Sequence, residues 1–168
     1  MSKESASKES AVAIVLLISL VSTGCLIGLI WTVQLVHYPL LTQITPENWN
    51  AYHQQHMKTI TVIVAPLMFI EAMAAAVLVF LVRDASTPVK LAVWTAAVLV
   101  LVNWISTAGV QVPLHNELGK RHDPAVIQRL VSGNWIRTAA WTARGALLCF
   151  VAWKLLTLRA TALAPPKP

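Results

Sequence analysis

Hydrophobic residues run in four long blocks along this chain, separated by short polar stretches. The blocks cover about Ala11–Val36, Thr59–Val82, Leu91–Val112 and Asn134–Leu158. A helix of roughly 20 apolar residues crosses a bilayer, and each block is long enough. The first and third hold no charged residue. The second holds Glu71 alone, and the fourth holds Arg137, Arg144 and Lys154. A surface helix of a soluble domain needs a polar face that returns every three or four residues. The first and third blocks have none. The pattern predicts an all-α fold, an integral membrane four-helix bundle, with residues 11–158 as the transmembrane domain.

The connections refine this picture. Thr45-Pro46-Glu47 and Asp123-Pro124 read as helix starts, with a capping side chain followed by proline at the first position. They predict short amphipathic helical segments leading into the second and fourth spans. Pro39 and Pro113 are expected to end or bend the first and third helices. Residues 1–10, rich in Ser, Lys and Glu, and 159–168, rich in Ala and Pro, read as flexible tails.

Composition agrees. The chain is 57% hydrophobic and 12% charged, against about 25% charged for a soluble domain. The net charge of +6 is spread over loops and tails, which points away from nucleic acid and toward a lipid bilayer as partner. With four spans, one side carries Lys3, Lys8, Arg83, Lys90, Lys154, Arg159 and Lys167. The other carries Lys58, Lys120, Arg121, Arg129 and Arg137. The excess favours cytoplasmic termini, in a bacterial inner membrane. The first block exceeds an h-region of about 7–15 residues and lacks a small-residue cleavage site, so it reads as a span rather than a leader. Cys25 and Cys149 lie within blocks and read as small buried hydrophobes.

Polar residues inside the blocks carry the functional signal. Counted from the block ends at about 1.5 Å per residue, Glu71 lies about 18 Å deep and Asn103 and Arg144 about 15 Å. Ionisable residues at such depth face the interior and pair. Glu71 with Arg144 is the expected pair, either a structural lock or a group that handles protons. Nearer one surface, Gln34 and His37 share a face, as do Asn103, Thr107, Gln111 and His115, and Asn134, Arg137, Trp141 and Arg144. Trp49 and Trp135 fit an aromatic belt. Trp31, Trp104 and Trp141 lie within spans.

All five histidines fall on that same side. His37, His53, His56 and His115 are candidate nitrogen ligands for a transition metal (copper, iron or zinc) or haem, with Gln34 and Gln111 behind them. Alternatively they are interfacial residues, or bind a small-molecule substrate with no cofactor. His122 belongs to the loop. In the catalytic reading, Arg137 holds an anionic group while Glu71 and Arg144 tune the field below. Trp31, Gln34, Asn103, Gln111 and Trp141 then wall the substrate site. A GxxxG step at Gly24 and Gly28 permits close helix approach, within the bundle or in a homo-oligomer.

Three strings, WTVQLVHYPL (Trp31–Leu40), QVPLHNEL (Gln111–Leu118) and NWIRTAAWTAR (Asn134–Arg144), resemble a widespread bacterial family of uncharacterised four-helix membrane proteins. That family is related to fungal anthrone oxygenase-like proteins. The resemblance implies oxidation of an aromatic polyketide-type substrate by dioxygen and carries over no catalytic residue. The expected function is a membrane oxidoreductase, oxygenase-like, acting on a small aromatic or quinone-like substrate. The alternative is a non-enzymatic membrane protein: a small transporter, or a structural or electron-transfer subunit with a structural polar core.

Overall fold

A computed structural model describes residues 3–163, with side chains from 7 to 158, and no strand occurs among them. The order is α1 (Lys3–Thr32), a π turn (Val33–His37), α2 (Tyr38–Leu40), a 3-10 turn (Leu41–Gln43), α3 (Pro46–Leu81), α4 (Thr87–Ser106), a second π turn (Thr107–Gln111), α5 (Val112–Leu118) and α6 (Pro124–Leu163). The chain is an all-α four-helix bundle. Its four long helical stretches, Ser7–Gln43, Pro46–Leu81, Thr87–Leu118 and Pro124–Leu158, are each long and apolar enough to cross a membrane.

The helix starts follow their local chemistry. α3 begins at Pro46 and α6 at Pro124. Asp123 Oδ1 accepts the backbone N–H groups of Ala125 at 3.0 Å and Val126 at 3.4 Å, satisfying donors that the first turn leaves free. Both helices therefore begin well ahead of their hydrophobic blocks. α1 likewise starts at Lys3, through most of the segment expected to be a tail. The expected C-terminal tail lies outside the described residues from 164 onward.

Both prolines disturb their helices, and the form of the disturbance is specific. A proline ring clashes with the carbonyl four residues back and offers no N–H. Instead of ending, the helices widen. Tyr38 N–H bonds Val33 O and Val112 N–H bonds Thr107 O, each five residues back. Each π turn lies next to its proline, and the helix then continues as α2 or α5. α3 runs unbroken through Pro66, and His53 and Glu71, five turns apart, are both buried.

α1 and α4 each pack against α3 and α6. Lys8 Nζ meets Asp84 Oδ2 at 2.6 Å, so the start of α1 stands beside the α3–α4 turn, as four antiparallel spans require. The core has three apolar clusters: one around Leu78, Val93 and Leu148, a middle one around Leu26, Met68 and Trp141, and one around Tyr38, Trp49 and Leu118. Outside, Ile14, Val62, Phe69, Met73, Phe80, Leu91 and Ile105 are exposed. An apolar surface of that extent is what a bilayer covers, and the chain reads as an integral membrane protein. Cys25 and Cys149 are free and exposed on this surface rather than buried.

Candidate functional site

The lower polar layer is the expected pair. Arg144 Nε lies 2.9 Å from Glu71 Oε1, with both side chains buried. Thr23 Oγ1 donates to Glu71 Oε1 at 2.8 Å, and Trp141 Nε1 donates to Oε2 at 3.0 Å. Arg144 NH1 donates to the Ala96 carbonyl at 2.7 Å. One carboxylate and one guanidinium thus join α1, α3, α4 and α6. Asn103 does not join them. It lies two turns, about 10 Å, along α4 from the carbonyl that Arg144 takes. The depth count assumed helix ends at Pro113 and Asn134, and the real helices run past both. Neither amide atom of Asn103 has a hydrogen-bond partner among the described residues.

The upper layer gathers around His115. The second π turn carries Gln111 inward and leads into α5, which buries His115. The first carries His37 and hands over to Tyr38, buried at the start of α2. The amphipathic start of α3 supplies His53 and His56. His115 Nε2 lies 3.1 Å from the Tyr38 hydroxyl, and its Nδ1 lies 3.3 Å from His53 Nε2. The His56 ring is 5.6 Å from that of His115 and stacks at 4.4 Å on His37. The four expected histidines therefore converge, and Tyr38 stands among them.

Arg137 closes the inner side. Its guanidinium neighbours the Tyr38 hydroxyl, donates to Asn134 Oδ1 at 3.2 Å and lies over the Trp141 ring at 5.0 Å. It is 6% exposed, and no carboxylate pairs with it among the described residues. Gln111 Oε1 receives a long contact of 3.5 Å from Tyr38. Its amide nitrogen runs close to Gly133, where a Cβ would come within 3.4 Å of it. His37 Nε2, His56 Nε2, Gln111 Nε2 and Arg137 Nε are buried and have no hydrogen-bond partner among the described residues.

Other expected residues are placed elsewhere. Gln34 takes part in a helix tie: its amide donates to Val131 O at 3.1 Å and its carbonyl accepts from Asn134 at 2.9 Å. Trp31 is half exposed on the far side, bonded to Thr142 and edge-on to Trp135, so it does not wall the cluster. Trp49 is buried, not in a belt. Its indole donates to Leu118 O at 2.7 Å and stacks on His53. Trp141 is the floor between the two layers. Sequence reasoning missed Tyr38, although its spacing of four from Gln34 placed it on the same face. It also missed Thr23, whose buried hydroxyl has no signature in an apolar run.

The ligand fit for a metal is poor as the side chains stand. Both nitrogens of His115 are engaged, and no set of three His, Cys, Asp or Glu residues is placed to hold an ion among the described residues. His37 and His56 are left with free nitrogens, where a catalytic zinc takes three protein ligands. The arrangement suits acid–base chemistry. A neutral imidazole donates from one nitrogen and accepts at the other. If Tyr38 donates to His115 Nε2, His115 Nδ1–H donates to His53, and a proton has a continuous route. The chain matches no family model, no curated protein and no solved structure.

Proposed function

We propose that the protein is a membrane oxidoreductase, oxygenase-like, that binds a small aromatic or quinone-like substrate directly against the histidine cluster. One observation carries this reading: four buried nitrogens, on His37, His56, Gln111 and Arg137, surround the Tyr38–His115–His53 chain and lack partners among the described residues. Buried polar groups in a purely structural core are paired, because an unmet one costs about 1–3 kcal/mol. A ligand rich in acceptor oxygens supplies what these nitrogens lack.

The chemistry follows from the residues. A phenol, or a ring CH₂ beside a carbonyl, loses a proton to His56 or His37. The charge left on the substrate oxygen lies against the Arg137 guanidinium, which has no carboxylate of its own to neutralise it. Dioxygen accepts the electrons. For a ring CH₂ the sum is one dioxygen consumed, one carbonyl formed and one water released; for a quinol it is one dioxygen consumed, one quinone formed and one hydrogen peroxide released. Tyr38, His115 and His53 carry the proton away. The scheme is written with the chain's own side chains alone.

The test is oxygen uptake by the purified chain with anthrone and a panel of quinols, alongside metal analysis and a visible spectrum. Substrate-dependent uptake that Arg137→Gln and His56→Ala abolish, at trace metal content, is the expected result. Stoichiometric metal or a Soret band would replace the direct-binding scheme by a cofactor site. No uptake with any substrate favours the non-enzymatic alternative, for which the Glu71–Arg144 network joining all four helices is the supporting observation.

A further inference from the structure

α1 and α3 lie side by side, and their outer seam holds two shallow grooves. The lower is bordered by Val15, Ile18, Phe69, Met73 and Val77, all hydrocarbon, and nothing in it separates a lipid chain from any other apolar occupant. The upper, about 390 Å³ in volume, has walls of Gly28, Leu29, Thr32, Val33 and Ile60 and ends on His37 and His56. The one wall hydroxyl, on Thr32, is already bonded to the Gly28 carbonyl at 2.9 Å. The wall side chains therefore offer no free hydrogen-bond donor, while the two imidazoles at the end each keep a buried Nε2 without a partner among the described residues. Gly28 helps keep this recess open. A Cβ built there meets nothing within 4 Å, so the glycine is not a packing contact.

We propose that the upper groove is a lateral portal from the bilayer to the histidine cluster. Its occupant is a membrane-dissolved ring bearing a hydroxyl or carbonyl oxygen, with its hydrocarbon part along Gly28, Leu29, Val33 and Ile60. The proposal rests on the cluster being the substrate site. A polar solute moving along such walls loses its water without compensation, at several kcal/mol per unmet group. A molecule with one or two oxygens loses little, and regains it where the imidazoles begin. From Gly28 to His37 is nine residues, about 14 Å along the helix, room for a ring and a tail. The π turn sets the end of the portal, because it is the segment that carries His37.

The experiment measures equilibrium retention of a decyl-substituted benzoquinone by the full chain in phosphatidylcholine nanodiscs, with empty discs subtracted. Hydroquinone, which needs no lateral route, is the second probe. Gly28→Trp fills the portal, and Met73→Trp fills the lower groove as a control. The expected result is saturable decylbenzoquinone binding, roughly 10-fold weaker or worse in Gly28→Trp and unchanged in Met73→Trp. Thermal melts of both variants show whether the bundle is intact, and Gly28→Leu serves if the tryptophan variant is not. Equal binding in wild type and the Gly28 variants would overturn the portal while leaving the cluster reading standing. So would hydroquinone binding that depends on Tyr38 when decylbenzoquinone does not bind. If neither probe binds, portal and cluster reading fall together. If a Gly28 variant only converts a dimer to a monomer, the groove seats a second copy and the portal is rejected.

Discussion

Arg137 and Arg144 stand two turns apart on one face of α6, both buried, and their surroundings differ in kind. Arg144 has Glu71 at 2.9 Å, and the Glu71 carboxylate is further bonded by Thr23 and Trp141. Arg137 has an amide oxygen and an aromatic face, with no carboxylate among the described residues. The first arrangement matches charge with charge, although Arg144 Nη2 has no partner among the described residues. The second leaves a charge without a carboxylate and Arg137 Nε without a partner among the described residues, beside Tyr38 and His115. A stable bundle needs only the first. On the proposed reading the lower layer holds the bundle together and the upper layer takes the substrate.

The largest test of this division falls on the lower layer. Removing one partner of a buried pair strands the other, at about 3–5 kcal/mol. Glu71→Ala and Arg144→Ala should each lower the denaturation midpoint by an amount of that order. The double variant should lose clearly less than the two losses added. Strict additivity would show that the pair carries no coupling and would remove the basis for the contrast.

The upper layer should respond the other way. Replacing Arg137 by Met removes a buried charge that has no carboxylate partner among the described residues, and with it the desolvation cost that such a charge imposes on the folded state. Arg137→Met and Tyr38→Phe should leave the thermal midpoint near or above wild type while binding or turnover is lost. A fall in stability matching that of Arg144→Ala would mean that the two layers share one structural role.

How much of this division the chain reveals depends on the residue. The spans were legible because hydrophobic blocks of that length have one common explanation. Glu71 with Arg144 was legible because each was alone at depth in its helix. The four histidines converged as their shared side implied. The π turns were not legible, since proline marks a disruption without saying whether the helix ends or widens. Tyr38 was within reach, four residues from Gln34 on the same face, but a tyrosine near a span end reads equally well as an interfacial residue. Trp49 was misplaced because an aromatic near a span end reads alike whether it faces lipid, a neighbouring helix or a carbonyl, and Trp31, read within its span as a pocket wall, because an apolar block gives depth without direction.

Glycines sharpen the comparison on a smaller scale. A Cβ at Gly145 would lie 2.6 Å from Ile27 Cδ1, where α6 crosses α1 near the lower layer. Overpacking of this kind costs about 1 kcal/mol when the far end of a side chain can shift. Gly145→Ala should be destabilised by about that much and restored by Ile27→Val, whereas Gly28→Ala should be neutral or slightly stabilised, as expected for relief of backbone entropy worth about 0.5–1 kcal/mol. Equal effects at the two glycines would mean that the seam around Gly28 is as tightly packed as the crossing at Gly145.

The smallest effect belongs to the exposed pair at the opposite end from the histidines. Lys8 donates to Asp84 at 2.6 Å, and its hydrogen bond and charge, with help from Arg83, hold the Asp84 carboxyl below its ordinary value of 3.8. A depressed carboxyl contributes stability that is fully present above the unfolded value and lost as pH falls through the folded one. Both side chains are largely in water, so salt screens the contact and its share is slight. Lys8→Ala should therefore shift the melting midpoint marginally at neutral pH and low salt. The shift should fade as pH falls below 3.8 and through the depressed folded value, until the carboxyl is protonated in both states, and should also vanish in molar salt. Glu71→Ala, measured in parallel, should keep its full deficit in salt, because a buried pair is screened much less. A Lys8→Ala loss that survives both acid and salt would show that the end of α1 is held by packing and that the ion pair only accompanies it.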